Sequence, residues 1–129
     1  MGELVRPVRW AMADNLLLNQ EPSRQRGVKT KSMNHKLTVI AHIRAKAGQE
    51  ARVQEALLGL IAPTRAEAGC INYDLYVSEE DARRFVFYEN WTSESHLEAH
   101  ADSAHLRAFR KMADEILDGP VEITKWRML

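Results

Sequence analysis

The sequence lacks the features that mark several large classes of protein. With one cysteine, Cys70, among 129 residues, the chain cannot form an internal disulfide, which is typical of proteins kept in a reducing cytoplasm. No stretch approaches the roughly 20 consecutive apolar residues of a membrane-spanning helix. A glycine-rich phosphate loop is also missing, so the sequence gives no support for a nucleotide cofactor. We therefore expect a cytoplasmic protein that has no membrane partner.

The chain also has no excess of charge of either sign. Lysine and arginine total 18, as do aspartate and glutamate, so the formal net charge is zero. Without an overall positive field, nucleic acid is not an expected partner. A hydrophobic content of 45% and a charged content of 28% are ordinary for a globular protein, and 129 residues suffice for one domain with its own core.

The first 34 residues differ in composition from the rest. They hold six basic and three acidic residues, whereas the remainder holds twelve and fifteen. Residues 20–34 are polar and basic and include proline and glycine, a composition typical of linkers. We predict an extension or linker over 1–34 and a folded domain over 35–129. Met33 is a candidate natural start, and the alternative is a genuine arm that packs on a partner subunit.

Apolar residues that alternate with polar ones predict four strands beyond residue 35. The strands are expected at 37–45, 71–77, 85–91 and 121–128. Helical patterns fall between the first and second strands and between the third and fourth. The order β-α-β-β-α-β predicts a ferredoxin-like α+β fold, in which a four-stranded antiparallel sheet carries the helices on one face.

The helix boundaries are marked by caps and breakers. Pro63 is expected to kink or split the first helix near Leu60, because proline removes a backbone hydrogen bond. Thr92 or Ser93 can cap a helix that follows the third strand directly. A longer helix is predicted from about Ser103 to Leu117, where apolar residues step by three and four.

The outer face of the predicted sheet is unusually apolar. It carries Tyr76, Val86, Tyr88, Trp126 and Met128 on the side opposite the main apolar stripe. Such a surface is unfavourable in water, so we expect a second copy of the sheet to cover it. The sequence thus predicts a homodimer.

The end of the third strand and the helix after it hold most of the candidate catalytic groups. Glu89 and Trp91 share a face with Phe85 and Phe87, and Glu89 is costly to bury without a partner. His100 lies at the edge of the buried face of the next helix, where it could transfer protons. Glu89 could equally form a structural ion pair, and His100 could be a hydrogen-bonded histidine at the edge of the core.

Further residues could line a cavity between the sheet and the helices. Trp91, Phe87 and Phe109 are expected in the core, with Trp91 as a candidate wall of the pocket. Tyr73 and His42 could supply polar groups to the same cavity, or could simply satisfy their neighbours.

Three histidines raise the possibility of a metal site. His96 and His100 are four residues apart, so they would share a helix face as zinc ligands can. The residues between them lack the zinc-protease pattern, and only Glu98 or His105 offers a third ligand. We therefore predict no metal, and no cofactor of any other kind.

Three motifs can be compared with those of known protein families. They are AEAGCINY at 66–73, FVFYENWTSE at 85–94, and LEAH at 97–100 followed by HLRAF at 105–109. They resemble the antibiotic biosynthesis monooxygenase domain, a family that includes small quinol monooxygenases. The resemblance implies a ferredoxin-like dimeric α+β barrel. It also implies oxidation of a phenolic or quinol-type aromatic by molecular oxygen, without metal or flavin.

The resemblance also implies roles for individual residues. His100 is the leading base, or the partner of an oxyanion, and Glu89 is its orienting or proton-accepting group. Trp91 and Tyr73 line the pocket, with Phe87 and Phe109 as apolar walls. His42 is a weaker candidate for substrate binding.

Other branches of the same fold provide the alternatives. Haem-degrading relatives use an asparagine on the first strand, and residues 37–45 contain none. A branch that isomerises phosphorylated signal molecules would bind phosphate, for which Arg44 or Arg65 is available. A non-catalytic dimer that binds a small ligand is the third possibility.

Overall fold

The computed structural model describes residues 36–129, so the predicted extension over 1–34 lies outside the described residues. The described chain contains four strands and three helices. The strands are β1 (Leu37–Arg44), β2 (Cys70–Val77), β3 (Arg84–Trp91) and β4 (Glu122–Trp126). The helices are α1 (Glu50–Arg65), α2 (Glu94–Ala101) and α3 (Ala104–Ile116).

All four strands join one antiparallel sheet in the order β2-β3-β1-β4. Strands β1 and β3 are central, and Glu89 on β3 is paired with Val39 on one side and Tyr73 on the other. This topology confirms the predicted ferredoxin-like α+β fold. Within a single chain the sheet stays open and is not closed into a barrel.

The core lies between the inner face of the sheet and the helices. Alternate residues of the two central strands point into it, among them Val39, Ala41, Phe85 and Phe87, all of which are buried. Helix α1 adds Val53, Leu57 and Leu60, and helix α3 adds Leu106, Phe109 and Ile116. The predicted inward stripe Phe85, Phe87, Glu89 and Trp91 is buried throughout.

Serine caps start both helices that follow β3. The Ser93 hydroxyl accepts a hydrogen bond from the backbone N–H of His96, and the Ser103 hydroxyl accepts one from Leu106. Each bond satisfies a backbone donor that the first turn of a helix leaves free. Ser93, rather than Thr92, is therefore the cap of α2, which starts only three residues after β3 ends.

Pro63 does not split α1, so that part of the prediction is wrong. The helix runs without interruption from Glu50 to Arg65 and contains Pro63 in its last turn. Proline there removes only the one N–H that would bond four residues back, and the backbone N–H of Ala66 still bonds to the carbonyl of Ala62.

The outer face of the sheet remains apolar and exposed in the single chain. Tyr76 is 55% exposed, Tyr88 is 41% exposed and Trp126 is 55% exposed. Over residues 36–129, no helix is long and apolar enough to cross a membrane.

Candidate active site

A small cavity lies between the inner face of the sheet and helices α1, α2 and α3. Its wall is apolar except for three groups that can exchange protons: Tyr73, Glu89 and His100. The space open to the centre of a water molecule is ≈ 20 Å³. That is room for about one water molecule. The cavity is thus a small, mostly apolar space with a few polar groups in its wall, a kind of lining that small-molecule sites usually have.

Glu89 is a buried carboxyl group with one neutral partner. It is 3% exposed, and its Oε1 accepts a hydrogen bond of 2.9 Å from the indole Nε1–H of Trp91. Burial raises the pKa of Glu89 to about 8, because it outweighs the lowering effect of the Trp91 hydrogen bond, and the negative charge of Glu67 adds to the rise. At pH 7 Glu89 is therefore mostly protonated. Since Oε1 accepts from Trp91, the acid proton is favoured on Oε2.

His100 is held by a different carboxylate, Glu67. The imidazole Nδ1 lies 2.9 Å from Glu67 Oε2, and the His100 side chain is only 6% exposed. Burial alone would raise the pKa of Glu67, but hydrogen bonds and charge from His100 and His105 lower it below its usual value. An ionised carboxylate can only accept, so Nδ1 carries the proton. With the proton on Nδ1, an imidazole in its neutral form has its lone pair on Nε2, as a general base requires.

A second histidine bonds to the same carboxylate oxygen. His105 Nε2 lies 2.7 Å from Glu67 Oε2, and the His105 side chain is 22% exposed. Glu67 comes from the loop between α1 and β2, His100 from α2 and His105 from the first turn of α3. We call these three residues the His-Glu cluster.

Aromatic rings fix the position of the His100 imidazole. The Trp91 ring is tilted against it at 4.8 Å between ring centroids, and the Tyr73 ring meets it edge-on at 5.3 Å. Phe87 stacks on Tyr73 at 4.2 Å. Burial raises the pKa of Tyr73 well above its usual 10, so its hydroxyl stays neutral.

The structure brings together most of the residues that the sequence analysis selected for the site. Five of them line the cavity: His100, Glu89, Tyr73, Phe87 and Phe109. Trp91 is fully buried and does not line the cavity itself, but it contacts two residues that do, His100 and Glu89. The group that orients His100 is Glu67 and not Glu89, which bonds to Trp91 instead.

His42 does not reach the cavity. Its neighbours Ala41 and Ile43 point into the core, so strand alternation places His42 on the outer face, opposite Glu122 on β4. There it lines a separate, more polar hollow that also includes Arg44 and Arg84. The prediction that His42 contributes to the cavity is therefore wrong.

Glu67 is not among the site residues predicted from the sequence, because its partners are distant in sequence. His100 is 33 residues away and His105 is 38 residues away. The sequence feature that could have indicated a fixed loop at Glu67 is Gly69, two residues further along the chain. This glycine has φ +83, and a Cβ placed on it would lie 2.2 Å from Cγ of His96. The backbone N–H of Thr92 also donates to the Gly69 carbonyl at 2.9 Å. The loop that carries Glu67 is thus clamped against the start of α2.

His96 is a structural residue of this clamp. Its Nδ1 lies 2.9 Å from the Ser93 hydroxyl and 3.0 Å from the Thr92 hydroxyl, and its ring covers Gly69. The fold does not bring His96 and His100 together as the pair of zinc ligands considered from the sequence. In the described part of the chain, the histidine that joins His100 is His105.

Comparisons with known proteins agree with this fold. The family model for antibiotic biosynthesis monooxygenase matches residues 36–112. The Rv0793 protein of Mycobacterium tuberculosis is 35% identical over 92 residues, which cover 71% of this chain and 90% of the relative. "Probable quinol monooxygenase YgiN" of Escherichia coli is 34% identical over 83 residues, covering 57% of this chain and 80% of the relative.

Solved structures show the same relationship. The crystal structure of PA3566 from Pseudomonas aeruginosa matches with a TM-score of 0.72 and 35% identity, over 75% of this chain and 97% of that chain. The structure of Rv0793 matches with a TM-score of 0.68 and 34% identity, over 73% of this chain and 95% of that chain. The sequence match, the ferredoxin-like topology and these structures together establish that the chain belongs to the antibiotic biosynthesis monooxygenase family.

Proposed function

We propose that this protein is a cofactor-independent monooxygenase that oxidises a phenolic or quinol-type aromatic with molecular oxygen. Membership of the family and the names of its relatives support monooxygenase activity in general. The substrate class and the use of oxygen rest on one observation. A single apolar cavity is lined by the imidazole of His100, whose Nδ1 bonds to Glu67, and by Glu89, a carboxylic acid that burial keeps neutral.

His100 is the proposed base. Its Nε2 takes the hydroxyl proton of the aromatic, and the ionised Glu67 at 2.9 Å from Nδ1 stabilises the imidazolium that forms. Removing this proton gives an electron-rich phenolate, which can pass an electron to oxygen. The protein then has to bind the anion and exclude water, for which the apolar wall is suited.

Glu89 is the proposed acid. After oxygen bonds to a ring carbon that bears hydrogen, the O–O bond breaks and that carbon loses its hydrogen as a proton. One oxygen atom stays as the quinone carbonyl and the other leaves as water, so a phenol and one O₂ give a quinone and one H₂O. A carboxylic acid that is protonated near pH 7 can supply the proton that the leaving oxygen needs.

Substrate binding must enlarge the cavity. A space of ≈ 20 Å³ holds about one water molecule and no aromatic ring. The wall opposite the sheet comes from Leu97 and Ala101 on α2 and from Leu106 and Phe109 on α3. We propose that these two short helices move away from the sheet when the aromatic enters.

Oxygen uptake with a panel of quinols and phenols tests the proposal. We expect turnover by the wild type, with rates at least about 10²-fold lower in His100→Ala and in Glu89→Gln. His42→Ala is the matched control, because it removes a histidine from the opposite face of the sheet. Equal rates in all four proteins would exclude His100 and Glu89 from the mechanism. Tight binding of an aromatic without oxygen uptake would favour the non-catalytic ligand-binding alternative.

A second copy of the chain is the proposed partner for the outer face of the sheet. Tyr76, Tyr88 and Trp126 are each at least 41% exposed there, which is unfavourable for large rings in water. We expect a dimer in analytical ultracentrifugation and a shift towards monomer in Trp126→Glu. A wild-type monomer at all concentrations would contradict this.

The phosphate-binding alternative gains no support from the two arginines. Arg65 donates to the carbonyl of Tyr73 and to the carboxylate of Asp74, at 3.2 and 3.1 Å. Arg44 pairs with Asp81 and Asp118 at the far end of β1. Neither arginine lines the cavity.

A further inference from the structure

We propose that the His-Glu cluster is a binding site for a divalent transition-metal ion. One ligand atom from each of Glu67, His100 and His105 lies within 4.8 Å of the others. This proposal goes beyond the monooxygenase function, since the family resemblance implies no metal. Its consequence for catalysis, given below, rests on that function.

The three donors converge on one point from three separate segments. Glu67 Oε2 lies 2.9 Å from His100 Nδ1 and 2.7 Å from His105 Nε2. A metal bonded at about 2.1 Å to each donor would hold neighbouring donors about 3.0–3.4 Å apart. Each carboxylate–imidazole distance therefore needs to lengthen by only about half an ångström, and the two imidazole nitrogens, which lie within 4.8 Å of one another, have to reach the same separation of about 3.0–3.4 Å.

The kind of donor selects the kind of ion. Two imidazole nitrogens and one carboxylate oxygen suit zinc, cobalt, nickel or ferrous iron, whereas calcium and magnesium prefer oxygen ligands alone. Hydrogen bonds from the two histidines favour the ionised form of Glu67, so the carboxylate can bind a cation without first losing a proton. Three protein ligands leave at least one coordination position open.

The cluster also offers a route for the ion. The side chains of Glu67 and His105 are 16% and 22% exposed, while that of His100 is 6% exposed. An ion can therefore reach the carboxylate and His105 from solvent and meet His100 last. The Gly69 clamp and the ring contacts with Trp91 and Tyr73 already hold Glu67 and His100 in place, which limits the entropy lost on binding.

Metal binding and base catalysis exclude each other at His100. A neutral imidazole that binds metal through Nδ1 carries its proton on Nε2 and has no lone pair left for the substrate. In the metal-free state the tautomer is the reverse, since Nδ1–H donates to Glu67. A bound ion is therefore expected to inhibit the proposed oxidation.

Zinc chloride titrated calorimetrically into the full chain tests the site, and cobalt absorption spectra report the ligand geometry. We expect binding of one ion per chain. The affinity should fall at least about tenfold in Glu67→Gln and in His105→Ala, since even a change outside the ligand set costs that much at metal sites. His42→Ala, on the outer face of the sheet, should bind like the wild type. Circular dichroism checks that each variant is folded.

Two results would overturn the site: no binding by the wild type up to millimolar zinc, or the same affinity and stoichiometry in wild type, Glu67→Gln and His105→Ala. Neither measurement uses turnover, so failure of the monooxygenase proposal leaves this test intact. Where turnover is found, zinc should suppress oxygen uptake and a chelator should restore it. Unchanged uptake by the zinc-saturated protein would refute the inhibitory role.

Discussion

Glu67 Oε2 and His100 Nδ1 are 2.9 Å apart although 33 residues separate them in the sequence. The fold thereby pairs an ionised carboxylate from a loop with a buried imidazole from a helix. The cavity that His100 lines contains another carboxyl group, Glu89, which burial keeps protonated at pH 7. Glu67 is thus ionised and Glu89 is neutral, because Glu67 has histidine partners whereas the buried Glu89 accepts its hydrogen bond from a neutral indole.

Replacing Glu67 with glutamine should reduce catalysis far more than stability. The amide keeps the shape of the side chain but removes the negative charge that stabilises the imidazolium of His100. We expect kcat to fall by about 10²-fold or more, with little change in KM, because the charge matters most as the proton moves. Glu55→Gln, at an exposed position on α1, is the control. A large rise in KM at constant kcat would indicate that Glu67 binds substrate instead.

Glu89 should make the folded protein less stable as the pH rises. Its pKa is about 8 in the folded chain and near 4.5 in the unfolded chain, so between these values only the folded state holds the proton. The contribution of Glu89 to the free energy of unfolding should then fall by about 1.4 kcal/mol per pH unit through this window. It should level off below pH 4.5 and above pH 8.

The difference between wild type and Glu89→Gln isolates this contribution, because other titrating groups are common to both proteins. Urea unfolding at intervals from pH 5 to pH 8 should show the wild type losing stability relative to the variant as the pH rises. A constant difference across this range would show that Glu89 is ionised in the folded state at every pH tested.

The fold was predictable because its signals are local. Alternation along Phe85, Phe87 and Trp91 identifies the inner face of β3, and a serine before each helix marks where α2 and α3 begin. The same alternation, applied strictly, would have placed His42 on the outer face. The partner of His100 was not predictable in this way, because its position depends on the loop at Gly69 and on contacts over more than 30 residues.

Gly69→Ala should be strongly destabilising. A Cβ at this position would lie 2.2 Å from Cγ of His96, and φ +83 is unfavourable for any side chain. We expect a loss of more than about 2 kcal/mol in the free energy of unfolding, measured with urea. Gly48→Ala is the matched control, because it has φ +87 but nothing within 4 Å of the added Cβ, so it should lose only about 1–2 kcal/mol. Equal losses in the two variants would show that the contact with His96 contributes nothing.

Ala101→Leu should block the cavity from the helix side. Ala101 follows His100 on α2, is 8% exposed and forms part of the wall. Three added carbon atoms would fill a space that has room for about one water molecule, so they compete directly with any aromatic ring that enters and should cost about 1–3 kcal/mol in stability through overpacking. We expect KM for a quinol to rise at least about tenfold, since excluded volume weakens binding before it affects chemistry. Ala108→Leu on the exposed side of α3 should leave KM unchanged. If both variants keep the wild-type KM while remaining folded, the aromatic binds outside this cavity.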